Sequence, residues 1–339
     1  MRPASDRRGF LTAGCWCVDR NISVPYWPGE DVVVRVTGVE RPGGGSACNL
    51  GVDIRKLDPS VPVWTTGVVG ADEAGDFLKG VAGAHGIDHD DLVQSDAAPT
   101  QVTDAYMSAA SGRRTHVLFE GSNNVLSPDH IVTAGSSAKI FHLGLPGIHA
   151  VMDAPWGGHA NGWAATLARA RGEGLLTSLE LVTVAPERLR AIVLPCLPHL
   201  SVLVVNDFEI GALAGITTVE DGRTDRDACF AAAEKVLAMG AMAVVAVHFV
   251  TGAVLVAQDG ARLFKPSVRV PEGEIRGVNG AGDAFAAGFL YGVHEGWDHG
   301  RCLSLGHAAA AACIRHLGTY EGMRPVAECL ALAANWGWR

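Results

Sequence analysis

Short, nearly continuous apolar runs alternate along the chain with longer stretches in which apolar positions recur at helical spacing. VWTTGVVG (63–70) precedes AGDFLKGVAGAHG (74–86), AKIFHLGL (138–145) precedes GWAATLARARGEG (162–174), and SVLVVN (201–206) precedes FEIGALAG (208–215). RDACFAAAEKVLAMG (226–240) leads into MAVVAVHFV (242–250) and AVLVAQ (253–258). Strands that are apolar throughout, separated by helices, predict a mostly parallel sheet covered on both faces. The fold class expected is α/β, a three-layer sandwich around a central, mostly parallel sheet. A first strand is expected over GFLTAGCWCV (9–18), closed by Asp19. Two segments, DVVVRVTGVERPGG (31–44) and TDAYMSAASGRRTHVLFEG (103–121), carry β patterning without a helix between strands, the second with a turn at Ser111-Gly112. They predict a small antiparallel sheet inserted into the main one or laid over it, either a lid that would exclude water from a site beneath it or an extension that only packs.

Composition narrows the classes. Of 339 residues, 48% are hydrophobic and 19% charged, enough for a large core in one or two domains, and the net charge of −9 argues against a nucleic-acid or acidic-membrane partner. No stretch is long and apolar enough for a membrane span. SDRRGFLTAG (5–14) has the paired arginines of a twin-arginine export signal, but Asp19 and Arg20 interrupt the apolar region such a signal needs, so a cytoplasmic chain is expected. The eight cysteines contain no C-x-x-C pair and read as reduced, buried thiols. The cluster HGIDHDD (85–91) reads as loop residues after a helix, without the repeated spacing of a metal site.

The chemistry is concentrated in GVNGAGDAFAAGFL (277–290). Gly280 and Gly282 bare the backbone where a buried helix begins, so the amides of Ala281, Gly282 and Asp283 present an anion site at a helix N-terminus. Asp283 belongs there if it faces a hydroxyl that attacks the anion, and the helix dipole is expected to favour its ionised form. A phosphoryl group in flight asks little of the base, so a weak one serves. The five lysines never follow a glycine, which excludes a P-loop, and the late glycines lack the third small residue of a dinucleotide fingerprint. Asn206 and Glu209, three apart at a strand-to-helix junction, suit Mg²⁺ held largely through waters; the same spacing is also an ordinary capping box. Asp19, and Asn49 behind three glycines in GGGSACNLGV (43–52), offer hydrogen bonds to a polyol, or else are a loop and a helix cap.

Taken in order, CVD, GGGSACN, GADEAGDFL, VNDFE and GAGDAFAAGF resemble the ribokinase-like (PfkB-type) carbohydrate and nucleoside kinases, over about residues 10–325. The resemblance implies one kinase domain with lid segments at about 20–45 and 101–121 and a C-terminal tail, 326–339. It implies Asp283 as catalytic base, Gly280, Ala281 and Gly282 as anion hole, and Asn206 and Glu209 as organisers of Mg²⁺. Asp19, Gly44, Gly45 and Asn49 are then sugar-hydroxyl binders. Asn206, Phe249, Gly252, Asn279, His307 and Gly318 become the nucleotide site, and the lid becomes a homodimer interface. Gly277-Val278 stands where the family reads Asp-Thr, so the carboxylate that helps hold a monovalent cation is missing. Val247-His248-Phe249 stands where it reads Thr-Leu-Gly. The activity implied is transfer of the ATP γ-phosphate to the hydroxymethyl group of a sugar. A nucleoside kinase is the alternative, with Tyr26, Trp27, Tyr106 and Phe119 as candidate base-stacking residues. A catalytically silent sugar- or nucleotide-binding protein is a third reading. A phosphosugar would need cations near the lid, where Arg20, Arg113 and Arg114 stand out.

Overall fold

The computed structural model describes residues 7–112 and 114–339. A nine-stranded sheet runs, edge to edge, through Arg262–Pro266, Gly252–Ala257, Val244–Phe249, Val202–Asn206, Leu176–Leu179, Ile140–Gly144, Phe10–Gly14, Val63–Gly70 and Asp88–Ser95. Pairing is parallel from Val244–Phe249 to Asp88–Ser95, and antiparallel only in the two strands at the other edge. Helices Ser46–Leu57, Ala281–His294 and His299–Cys313 pack on one face and Gly162–Gly172, Asp207–Ala214 and Arg226–Met239 on the other, giving two cores and three layers. The strands read as apolar throughout because both their faces are buried. The helix after Asp283 is apolar almost all round for the same reason: Phe285, Phe289 and Leu290 are at most 1% exposed, each burial contributing about 2 kcal/mol. Among the described residues, no helix is long and apolar enough to cross a membrane.

The lid is a second sheet of five strands, in which Gly38–Glu40, Cys17–Val24, Val102–Ser108 and Arg114–Phe119 lie side by side and Gly43–Gly44 pairs with Cys17–Val24. Its pairs are antiparallel except Cys17–Val24 against Val102–Ser108. The expected first strand is therefore two strands. Phe10–Gly14 belongs to the main sheet, the chain turns at Cys15-Trp16, and Asp19 lies inside a lid strand rather than at the end of a core strand. Trp16 is fully buried, so the apolar run continues through the break and conceals it. Residues 31–37 form no strand, and Val32, Val33 and Val36 are exposed; a β pattern states a preference, and without a partner it forms no ladder. Residues 88–91, read as loop, instead begin the edge strand Asp88–Ser95, and no metal-ligand cluster exists there among the described residues. All eight cysteines are reduced and buried. Helix Val326–Trp336 ends the chain, after which Trp338 pairs with Val268 beside the sheet edge.

Candidate active site

The helix Ala281–His294 opens on Gly280, whose φ of +71° is left-handed. A Cβ there would stand 2.3 Å from the Thr319 carbonyl oxygen, so both conformation and space require glycine. The first turn holds the amides of Ala281, Gly282 and Asp283, which have no partner within the helix, and that of Ala281 donates to the Val278 carbonyl at 3.4 Å. Ala281 and Gly282 line a cavity of about 470 Å³ that also meets Asn206, His248, Phe249 and His307. Burial holds His248 at about 4 and His307 at about 3, so both rings are neutral at neutral pH. The cavity lies over the half of the sheet that contains Val202–Asn206 and Val244–Phe249.

On the other side of Asp283 lies the lid. Asn49 Nδ2 donates to Asp283 Oδ2 at 2.7 Å, and Thr319 Oγ1 donates to Asn49 Oδ1 at 3.0 Å, so a three-residue chain fixes the carboxyl. Asn49 sits in the first turn of Ser46–Leu57, entered through Gly45 with φ +88°. Asp19 packs directly on Gly44, where a Cβ would stand 2.2 Å from Asp19 Oδ2. Asp19, Gly44, Gly45, Asn49 and Asp283 thus converge from four elements. The structure also gathers Ala281, Gly282, Asn206, Phe249 and His307 around the large cavity. Gly252, Asn279 and Gly318 are not among its lining residues: Gly252 abuts Phe264, Asn279 accepts from Cys313 Sγ at 3.3 Å, and Gly318 leaves room for the Glu321 carboxylate.

Asp283 differs electrostatically from the sequence expectation. Burial, and then the charge and hydrogen bond of Glu180, push its carboxyl well above the ordinary range, outweighing Asn49 and His142, which favour ionisation. Glu180 follows the strand Leu176–Leu179; burial raises it too, and its Oε2 contacts His142 Nε2 at 2.8 Å. Burial lowers His142 to about 4, so the ring that meets Glu180 is neutral. One helical turn beyond Asn49, Asp53 is fully buried with no hydrogen-bond partner on either oxygen, and burial and Asp283 raise it. Glu180, His142 and Asp53 escaped the sequence reading. The available signal was a carboxylate at the carboxyl end of a parallel strand, the place where α/β sheets put ligand contacts.

Asn206 and Glu209 form a complete capping box: Asn206 Oδ1 accepts from the Glu209 amide at 2.8 Å and Glu209 Oε2 from the Asn206 amide at 3.0 Å. Burial nevertheless pushes Glu209 up to about 7. Two oxygen-bearing side chains at a strand end, one a desolvated carboxylate, fit a hard cation. Near the lid, Arg20 is engaged by Asp104 through two contacts of 2.5 Å; Arg113 lies outside the described residues, as does the side chain of Arg114. Strand alternation places Tyr106 and Phe119 on the lid face opposite Asp19, where Tyr106 meets Trp27 edge-on at 5.6 Å.

Comparison with known proteins places the chain in a family. An adenosine kinase of Schizosaccharomyces pombe is 44% identical over 68 residues, a fifth of either chain. An adenosine kinase of Schizophyllum commune is 27% identical over 320 residues, covering 85% of this chain and 83% of its own. The structure of Arabidopsis thaliana ribokinase complexed with ribose and ATP superposes with a TM-score of 0.77 at 21% identity, covering 96% of this chain and 98% of that one, a likeness of fold. The sequence profile of the pfkB family carbohydrate kinases matches residues 15–326. The chain belongs to that family, whose members transfer a phosphoryl group to a hydroxyl of a sugar or nucleoside.

Proposed function

We propose that the chain transfers the γ-phosphate of ATP to the hydroxymethyl group of a sugar, with Asp283 as the base. The observation that carries this reading is the position of Asp283: its amide lies in the helix end that opens on the large cavity, while its carboxyl is tied to Asn49 beneath the lid. ATP in that cavity would contact Asn206, Phe249 and His307, with Gly252, Asn279 and Gly318 supporting the surrounding backbone. The acceptor would lie against Asp19, Gly44, Gly45 and Asn49. Asn206 and Glu209 would hold Mg²⁺, which when bound neutralises phosphate charge. Closure of the lid excludes water, Asp283 accepts the hydroxyl proton as the oxygen attacks, and the amides of Gly280–Gly282 stabilise the charge on the phosphoryl oxygens. A carboxyl held high by burial and by Glu180 is a stronger base once ionised, which favours proton acceptance. A nucleoside acceptor is the second reading, favoured by the relatives named adenosine kinase.

The kinase works as one unit over residues 10–325 in the cytoplasm. It pairs through the outer face of the lid, where Val39, Val117 and Phe119 are each about half exposed. The test is ADP release from Mg·ATP with pentoses, hexoses, sugar alcohols and nucleosides, with and without K⁺, for the parent and for Asp283→Asn. The variant should lose about 10²–10⁴ in kcat on the active acceptor. If every acceptor stays silent while one still raises the melting temperature, the chain is a binding protein instead.

A further inference from the structure

His248 stands where the family reads leucine, and its surroundings differ from those of a core residue. Strand alternation turns Val247 and Phe249 toward one face of the main sheet and His248 toward the other, the side of the Ala281–His294 helix. It pairs in register with Asn206 on the neighbouring parallel strand, so both residues stand at the carboxyl ends of strands, where α/β sheets put ligand contacts. A Cβ on Gly282 would lie 3.3 Å from His248 Cε1 and 3.6 Å from Nε2. The Cε1–Nε2 edge of the ring therefore runs along the first turn of the helix, and the Phe285 ring backs it with centroids 5.0 Å apart.

Packing alone would account for a histidine against phenylalanine, but two observations go further. Neither ring nitrogen has a hydrogen-bond partner among the described residues, and unlike His142 Nδ1 neither is sealed off, since the ring lines the large cavity. A neutral imidazole always carries one N–H, and desolvated donors are so regularly paired that one left free at a cavity wall points to a ligand atom. His307, on the same cavity, is already engaged, its Nε2 lying 3.2 Å from the Lys265 carbonyl. The second observation is how the cavity is divided. Asn206, His248 and Gly282 adjoin one another, whereas the apolar lining residues Val268, Val270, Ala310 and Ala311 come from the segment after Arg262–Pro266 and from the His299–Cys313 helix. A nucleotide satisfies both parts only with its base on the apolar wall and its phosphates toward Gly282. Among the described residues Arg339 is the only lysine or arginine lining the cavity, so uncharged N–H groups carry much of the phosphate recognition.

We propose that His248 is a further residue of the donor site, donating its Nε2–H to an oxygen of the γ-phosphoryl group beside the Gly282 amide. The contact is a hydrogen bond and not an ion pair, because burial keeps the ring neutral. This inference rests on the donor site of the proposed kinase and adds to it a side chain that the family's leucine does not supply. Calorimetric titration of ADP and of non-hydrolysable AMP-PNP, both with Mg²⁺, tests it in the parent, His248→Leu, His248→Gln and His248→Asn. ADP lacks the γ group and so measures the rest of the site. His248→Leu should weaken AMP-PNP by about 10–100-fold and ADP by less than about threefold, the loss of one hydrogen bond to a charged group. With the active acceptor its kcat should fall about 10²–10³-fold, as when one donor to a developing charge is removed. The glutamine amide reaches the position of Nε2 and should restore most of both losses; the asparagine amide matches Nδ1 and should not. Melting curves identify a variant that fails to fold, and the comparison of glutamine with asparagine then decides. Equal losses of ADP and AMP-PNP in a folded variant, or no loss of either, overturn the assignment and leave a kinase that still releases ADP intact. AMP-PNP binding that depends on His248, without ADP release from any acceptor, sustains the contact and defeats the kinase reading. A parent that binds neither nucleotide overturns both.

Discussion

Replacing Gly280 by alanine tests whether the turn before the Ala281–His294 helix sets the reacting geometry. At φ +71° a Cβ costs about 1–2 kcal/mol through contact with its own backbone. The new atom would also stand 2.3 Å from the Thr319 carbonyl oxygen and 2.7 Å from the Thr319 Cα, where ordinary contact begins at 3.4 Å. Neither neighbour is a flexible side-chain end, so one backbone segment must retreat by about an ångström in a close-packed interior. Thr319 is the anchor of the chain that runs from its Oγ1 to Asn49 and from Asn49 to Asp283. A misplacement of that size at a reacting group costs about 10² in rate, so kcat should fall about a hundredfold. Strain and overpacking together should lower stability by about 2–4 kcal/mol. Gly260→Ala separates the two effects, because Gly260 has φ +90° but nothing within 4 Å of the new atom. It should lose melting temperature through strain alone and keep its kcat. Differential scanning fluorimetry and coupled ADP release read both variants. If Gly280→Ala keeps kcat within about threefold of the parent and melts no lower than Gly260→Ala, displacement of Thr319 does not reach Asp283 and the turn does not set the reacting geometry.

Two further outcomes follow from burial. Glu209 is held at about 7 in the folded chain against an ordinary 4.5, so the folded state keeps a proton that the unfolded state has released. Glu209's contribution to stability is therefore complete below about pH 4.5 and is lost as pH rises through 7, by up to about 3 kcal/mol. Glu209→Gln retains the capping geometry without the titration, so in EDTA its melting temperature should fall less steeply between pH 5 and 8; parallel slopes would refute the reasoning. Phe119 is 54% exposed on the outer lid face beside Val117, and Phe119→Asp should shift the protein from dimer to monomer in light scattering. A parent that is already monomeric removes the lid interface.

The main sheet was legible because each strand is buried on both faces and must be apolar throughout, as Val202–Asn206 and Val244–Phe249 are. The turn at Cys15-Trp16 was hidden for the same reason: a tryptophan buried in the turn extends the apolar run, so nothing polar marks where the chain leaves one sheet for another. The valines at 32, 33 and 36 fail in the opposite sense, since pairing depends on a partner that local pattern does not specify. The site divides along the same line. Gly280, Gly45 and the Asn206–Glu209 box announce themselves because their roles are set by the backbone within a few residues. Glu180 and His142 act on Asp283 across more than a hundred residues of sequence, and an orphaned group such as Asp53 is recognisable only once its surroundings are closed. The distinction bears on how such a site diverges. Gly280 is tied to its turn by backbone conformation and by the Thr319 carbonyl, whereas the side chains of the lid strands lie outside that turn and can change without disturbing it.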